Sequence, residues 1–336
     1  MARRRKNYQA APMTLTFATS ITGGGVSTAT DYIDLSQVAS LVNRRFYRQG
    51  LNWAVAGFKL FTKATFSGQV QMFKLPNTWI MSNAWTKSFK AWQKMNRDAL
   101  AETESIKPRF MDFKIYADAG HHSAGFGANL LPLAQATVYT AGEWQPSKIV
   151  QPDSSQGTPT VYDRELIAVG ANYPGAGASG LNAVSLIEGY AASRALPNIL
   201  DPNRPADADD ADGTAPQNWM SAMFNEGQPQ DAEVIEDLTD DNNIAPYPFE
   251  NDGVHADTMY PGGANQGGGL ETHDITFITP TTIGGMSYLK GGNFPCGLIR
   301  IDTLNDPAAE ESLIILQVDM IPGPHRGYLA ESMTEM

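Results

Sequence analysis

The sequence has 336 residues, 24 Lys and Arg against 36 Asp and Glu for a net charge of −12, and one cysteine, Cys296. A single cysteine excludes an internal disulfide framework and any multi-cysteine metal cluster, which fits folding in a reducing compartment. No stretch approaches the roughly 20 apolar residues of a membrane span, and Ala2-Arg3-Arg4-Arg5-Lys6 runs into polar Asn7-Tyr8-Gln9 rather than the apolar core of a secretory leader, so a soluble chain with no membrane partner is expected.

The net charge hides a polarity. Residues 1–100 carry 14 Lys and Arg against Asp31, Asp34 and Asp98, whereas residues 201–336 carry four cations (Arg204, Lys290, Arg300, Arg326) against 24 acids. Such a split suits a subunit with one side toward phosphate and the other toward water better than it suits a small-molecule enzyme.

In chain order, residues 1–30 are basic at the tip and then rich in Ala, Thr, Ser and Gly, and read as a mobile arm. Tyr32-Ile33-Asp34-Leu35 predicts a short strand, and Ser36 is placed to cap a two-turn helix through Val38, Leu41 and Val42. Residues 51–75 alternate in period two around Ser67-Gly68 and predict a long antiparallel hairpin. A helix is expected to open at Ser82-Asn83, with Trp85, Phe89, Trp92 and Met95 on one stripe and Lys87, Lys90, Lys94 and Arg97 off it. Further strands are expected at 109–116, 141–150, 158–169, 272–279, 297–302 and 313–321, and a second helix at 181–194. Residues 196–270, rich in Pro, Asp, Gly and Asn, read as a long acidic loop insertion.

Many strands with few helices and no repeated βαβ rhythm predict an all-β chain, a single antiparallel jelly-roll sandwich with helical and loop insertions. The expected organisation is an arm (1–30), a shell domain (31–330) and a tail (331–336).

Gly175-Ala176-Gly177-Ala178-Ser179-Gly180 is a literal GxGxxG, with Asp201 about 20 residues on. A dinucleotide site also needs a second buried strand near that acid, and the Pro- and Asp-broken 196–213 offers none, so a flexible loop leading into a helix is the reading. Asp207, Asp209, Asp210 and Asp212 before Gly213 fail as an EF-hand, because the alignment puts Ala208 at the first ligand position and Trp219 where the bidentate Glu must sit. No cofactor is therefore expected, with one exception: a looser calcium site built from these four acids, or from Asp237, Asp240 and Asp241, since calcium needs only several converging oxygens. His121, His122, His255, His273 and His325 form no metal or catalytic spacing and read as turn or surface residues; no catalytic residue is assigned.

Arg3, Arg4, Arg5 and Lys6 are the sharpest functional feature, because clustered cations on an arm neutralise phosphates without reading sequence. Their bland alternative is an incidental charge run or a nuclear-targeting signal. Arg44, Arg45 and Arg48, with Lys59 and Lys63, are expected to extend the basic surface. Phe46, Tyr47 and Trp53 are open to two readings, stacking on unpaired bases or packing in the core.

The MARRRK arm, the early strand-helix segment, the strand order with a helical insertion, and the ending FPCGLIRID followed by SLIILQVDMIPGPHRG resemble coat proteins of the circular, replication-initiator-encoding single-stranded DNA viruses (CRESS-DNA viruses). The likeness covers residues 1–75 and 290–330. It implies a capsid protein that self-assembles into an icosahedral shell of sixty identical copies or a multiple, with an inward basic arm and outward loops. It also implies a single-stranded genome, DNA ahead of RNA since small RNA-virus coats share the architecture, a location in the virion and, during assembly, in the host nucleus or cytoplasm, and an unidentified host surface receptor. Relatives carry a longer Arg-rich arm than Arg3 to Lys6. The competing expectations are a glycosidase-like β-rich hydrolase, which needs two carboxylates roughly 5 to 10 Å apart in a cleft, and a carbohydrate-binding β-sandwich.

Overall fold

The computed structural model describes residues 10–21, 26–99, 112–135, 137–152, 161–194, 220, 269–281, 285–306 and 312–335. In chain order its elements are β1 (Thr14–Ile21), β2 (Thr28–Asp34), α1 (Leu35–Asn43), β3 (Leu51–Phe61), β4 (Gly68–Lys74), α2 (Trp79–Ala99), α3 (Ala119–Ala124), β5 (Leu133–Ala134), β6 (Thr137–Val138), β7 (Ile149–Pro152), β8 (Val161–Ile167), β9 (Ala183–Ser185), α4 (Leu186–Arg194), β10 (Glu271–Ile278), β11 (Met286–Phe294), β12 (Leu298–Asn305), β13 (Ser312–Met320), β14 (Pro322–Gly323), β15 (Gly327–Tyr328) and β16 (Ala330–Ser332). Most of the regular structure is strand, in largely antiparallel sheets.

The chain divides into two compact units rather than the expected single domain: Met1–Leu75, Gly127–Trp144 and Glu271–Met336 form the first, and Pro76–Phe126 with Gln145–Leu270 the second. In the first unit, one sheet has the order β1-β13-β3-β11 with β16 also on β3, and the other has the order β10-β4-β12-β2. Among the eight long strands of this unit, the first pairs with the eighth, the second with the seventh, the third with the sixth and the fourth with the fifth, always antiparallel. Both sheets contribute to one core. Phe17, Val55, Phe58, Leu60, Leu316 and Val318 of the first sheet join Ile33, Val70, Met72, Ile299 and Ile301 of the second in a single buried cluster. Period two explains the selection: on β13, Ile314, Leu316, Val318 and Met320 are buried while Leu313 is half exposed. Truncating one of the buried phenylalanines to Ala is expected to cost about 3–5 kcal/mol.

Four expectations about this unit are corrected. The arm does not extend to residue 30, because Thr14–Ile21 is a full strand on β13 and buries Leu15, Phe17 and Ile21. Three apolar side chains at alternate spacing outweigh the small, polar composition around them. Residues 51–75 are strands but not a hairpin: β3 and β4 lie in different sheets, with buried Phe66 in the connection between them. Alternation marks an inward face without naming the partner strand, and here the two inward faces meet across the core. The cap of α1 also moves. Asp34, not Ser36, accepts the N–H groups of Ser36 and Gln37, and Ser36 turns its hydroxyl to the same carboxylate. The tail is likewise partly regular, since β16 pairs with β3 as far as Ser332.

In the second unit, α2 begins at Trp79, before the expected Ser82. Its stripe is an aromatic rail: the rings of Trp85 and Phe89 stack at 4.9 Å, those of Phe89 and Trp92 at 6.3 Å, and Phe113 meets all three at 5.5–6.0 Å. β7 and β8 pair antiparallel, and β8 and β9 pair parallel. Of the strand expected at 109–116, the described residues 112–115 have no regular structure, and Tyr116 makes an isolated bridge to Ile167. Residues 141–148 are irregular, and a strand forms only from Ile149. The helix expected at 181–194 is preceded by β9 and begins at Leu186. The acidic segment 196–270 lies outside the described residues except Met220, Gly269 and Leu270. Among the described residues, no helix is long and apolar enough to cross a membrane.

Candidate nucleic-acid interface

α1 ends at Arg44, which adopts a left-handed conformation (φ 53°) and gives its N–H to Ser40 O, turning the chain out of the helix. The connection to β3 therefore carries Arg44, Arg45 and Arg48 at one end of the first unit, all exposed. Between them Tyr47 turns inward. It is fully buried, its hydroxyl donates to Arg326 O at 3.1 Å, and its ring packs at 5.9 Å from Trp53 and 5.8 Å from Tyr328. Burial pushes the Tyr47 phenol above its ordinary range, opposed by the charges of Arg45 and Arg326 and by a hydrogen bond from Arg45.

Arg326 is the residue that sequence reasoning missed. The β14–β15 turn presents it beside the α1–β3 connection, where its guanidinium donates to Phe46 O and lies 5.8 Å from the Tyr47 ring. The neighbouring His325 packs against Tyr47 and Trp53 at 6.0 and 6.3 Å, and burial, then the Arg326 charge, lowers its pKa. The sequence signal was present in Pro322-Gly323-Pro324, a turn that projects the two residues after it, but nothing local tied that turn to residue 46. Four arginines from two distant segments thus share one end of this unit. Guanidinium groups in general can pair with phosphate oxygens, a contact that does not read base identity.

The other expected members behave differently. Arg3, Arg4, Arg5 and Lys6 lie outside the described residues. Lys59 does not extend the basic surface, because its ammonium stands 2.7 Å from Asp319 on the neighbouring strand. Lys63 is exposed in the β3–β4 connection. Tyr47 and Trp53 are core residues, with no face open to a base, and half-buried Phe46 lies 6.3 Å from Trp144.

Asp207, Asp209, Asp210 and Asp212, and also Asp237, Asp240 and Asp241, lie outside the described residues; among those described, no group of three or more His, Cys, Asp or Glu is arranged to hold a metal. The glycine-rich loop does not open a helix. It runs into β9, and Ala178 N donates to His122 O while Gly175 N is held by Asn182 Oδ1. A Cβ on Gly177 would stand 2.5 Å from His122 Nε2, so glycine is needed there for close approach. This loop is a lid over α3, with no phosphate cradle at a helix N-terminus.

His121 and His122 are therefore not surface residues; both are buried on α3. His121 Nδ1 accepts from Ala117 N, and His122 Nε2 stands 2.9 Å from Glu165 Oε2. That approach does not meet hydrogen-bond geometry, and the buried His122 Nε2 has no hydrogen-bond partner. Burial, then the Glu165 charge, pushes the adjacent Tyr116 phenol above its ordinary range. His122 and Glu165 are 1% and 0% exposed, so the cluster is part of the interior of this unit. A second buried carboxylate, Asp34, accepts five bonds, from Ser36 N and Oγ, Gln37 N, Gln49 Nε2 and Trp144 Nε1. Burial raises its pKa, and the bonds from Ser36, Trp144 and Gln37 oppose the rise.

No family model matches the chain, and neither a curated protein nor a solved structure is significantly similar to it.

Proposed function

We propose that this chain is a viral capsid protein: a jelly-roll subunit that self-assembles into an icosahedral shell around a single-stranded nucleic acid genome. The observation that carries the proposal is the nested pairing of the eight long strands, first with eighth through fourth with fifth, in two four-strand paths over one core. Eight strands folded over in this way are what two Greek keys produce in a jelly roll, the architecture of many shell proteins and lectins. Charge favours the shell. The Arg44, Arg45, Arg48 and Arg326 cluster, with Arg3 to Lys6, fits a phosphate partner, which a neutral sugar does not require.

On this reading the work is structural, with no catalysis and no cofactor. The partners are further copies of the chain, a genome of DNA rather than RNA, and a host receptor, and the protein resides in the virion. Negative-stain electron microscopy of the purified protein, with the 260/280 nm absorbance ratio of the same fraction, tests it. Uniform shells with excess absorbance at 260 nm support both assembly and packaging; a monodisperse monomer under all assembly conditions overturns the proposal.

A further inference from the structure

Strand β10 is an edge that the fold leaves half protected. It ends the path β10-β4-β12-β2 and, among the described residues, has β4 as its only ladder partner. Natural edges are blunted by Lys, Pro, bulges or covering side chains, because their free N–H and C=O groups otherwise template a further strand. The first half of β10 has such devices. Its register shifts between Thr272 and Asp274, the Asp274 carboxylate accepts Lys290 N at 2.8 Å, and His273 Nε2 stands 2.8 Å from Lys290 O on the neighbouring edge strand β11. The second half has none of them. Ile275-Thr276-Phe277-Ile278-Thr279 is uncharged and rich in strand-forming residues, Pro280 comes only after the strand, and Phe277 and Ile275 are 72% and 42% exposed. Two large apolar side chains at alternate positions on an open edge add little to the core and oppose solubility.

From this we infer that β10 pairs antiparallel with β10 of a second copy of the chain, about a two-fold axis at Thr276, so that two copies of the path β10-β4-β12-β2 join into one continuous sheet. The edge is self-complementary in that register. With Thr276 opposite its symmetry mate, Phe277 of each copy lies opposite Ile275 of the other, so the favourable pairing of an aromatic with a β-branched side chain forms twice. Moving the axis to Ile275 puts Phe277 opposite His273 instead, and the apolar match is lost. Charge agrees with the axis at Thr276. Asp274 then faces Ile278 and His273 faces Thr279, so no acid opposes an acid in a chain whose net charge is −12. A second copy is favoured over an unrelated strand because the same short stretch supplies both members of each side-chain pair. So short a ladder buries less than the roughly 1,200 Å² of a stable standard interface, which suits one of several contacts repeated by symmetry rather than a tight dimer. The pairing rests on the self-assembly of the proposed function and names one contact through which copies meet.

Sedimentation velocity of the nuclease-treated full-length protein over a concentration series, with electron microscopy of the same fractions, tests it. The double variant Ile275→Lys, Phe277→Lys sets lysines opposite lysines and is expected to raise the concentration for half-association by about tenfold or more. Mixing it with Ile275→Glu, Phe277→Glu, which is expected to fail alone in the same way, restores association. Disulfide trapping under mild oxidation reads the register and serves as the second measurement should the charged variants not fold. An equimolar mixture of Ile275→Cys and Phe277→Cys is expected to give a linked dimer and either variant alone little, because like positions lie diagonally at about 7–8 Å. The native Cys296 is buried. Unchanged association in a folded lysine variant overturns the pairing, as does trapping in the mixture no greater than in the single variants; shells that persist in either case leave the proposed self-assembly standing without it. Loss of stability with no loss of association assigns the edge to another segment of the same chain and equally overturns the pairing. A wild-type protein that stays monomeric at every concentration removes both the pairing and the proposed self-assembly.

Discussion

Arg326 donates its guanidinium to the main-chain carbonyl of Phe46, 280 residues earlier in the chain. The same side chain thus ties the β14–β15 turn to the α1–β3 connection and adds charge to the arginines there. Replacing it separates the two roles. Arg326→Ala is expected to lower stability by about 1 kcal/mol, at the low end for a charged hydrogen bond because the site is exposed, and to weaken oligonucleotide binding. Arg326→Lys keeps the charge and is expected to retain binding while losing most of the tie. Urea midpoints beside anisotropy distinguish the two; equal loss of binding in both variants would count against a charge role.

Asp34→Asn tests the hub beneath α1. Both carboxylate oxygens accept N–H groups, so the amide must turn its own N–H toward donors on one side. A loss of about 2–3 kcal/mol is expected, and about 1 kcal/mol for Trp144→Phe, which removes a single donor. Denaturant unfolding followed by tryptophan fluorescence measures the first, and circular dichroism the second. A neutral Asp34→Asn would show that the hub does not depend on the carboxylate.

Gly177→Ala and Gly175→Ala separate crowding from backbone strain. Alanine at 177 meets His122 Nε2 at 2.5 Å and His122 O at 2.7 Å, whereas alanine at 175 meets nothing within 4 Å but must adopt φ +104°. The first is expected to cost about 2–3 kcal/mol and to speed amide exchange in α3. The second is expected to cost about 1–2 kcal/mol without that local signature. Exchange mass spectrometry over residues 116–126 reads the difference.

Acid stability follows from Asp31, Asp34 and Asp319. Burial raises the pKa of Asp31 and Asp34 above the unfolded value of 3.8, so their favourable contribution is present below that value and is lost as pH rises through the folded pKa. Asp319 is the opposite case. Hydrogen bonds from Lys59 and Thr14 lower its pKa, so its contribution is present above 3.8 and is lost as pH falls through the folded pKa. Asp31→Asn keeps an acceptor for Thr19 and is expected to gain stability relative to wild type between pH 4 and 7, and none near pH 3. Asp319→Asn is expected to lose stability at pH 7 and to converge with wild type in acid. Urea midpoints across that range check both signs.

Inward faces were legible in the sequence wherever alternation was clean, as on β13 and β4. Strand partners were not, because the alternation of Phe58 and Leu60 against that of Val70 and Met72 looks the same whether the strands lie side by side or face each other across a core. β1 was obscured by Thr, Ala and Ser between Leu15, Phe17 and Ile21. At the candidate site, Arg44, Arg45 and Arg48 could be read from their spacing, but Arg326 could not, since its neighbour Phe46 is remote in the chain. The burial of His121 and His122 was hidden for a similar reason: Glu165 and Gly177, which enclose them, arrive from separate loops and strands.

The nested pairing has a consequence for how the chain folds. Lys74 opposes Glu271 in the innermost ladder, and Thr14 opposes Asp319 in the outermost, so every ladder between β1–β4 and β10–β13 closes over a very long stretch of sequence. Contacts so remote make for slow folding, and the outermost ladder must wait until β13 has been synthesised. The residues of the second unit between β4 and β10 are made before β10. If they fold early they shorten the effective loop that separates Lys74 from Glu271, lowering the entropy lost when that ladder closes. The insertion would then act as a folding clamp, seeding the innermost pair from which the outer pairs zip in order.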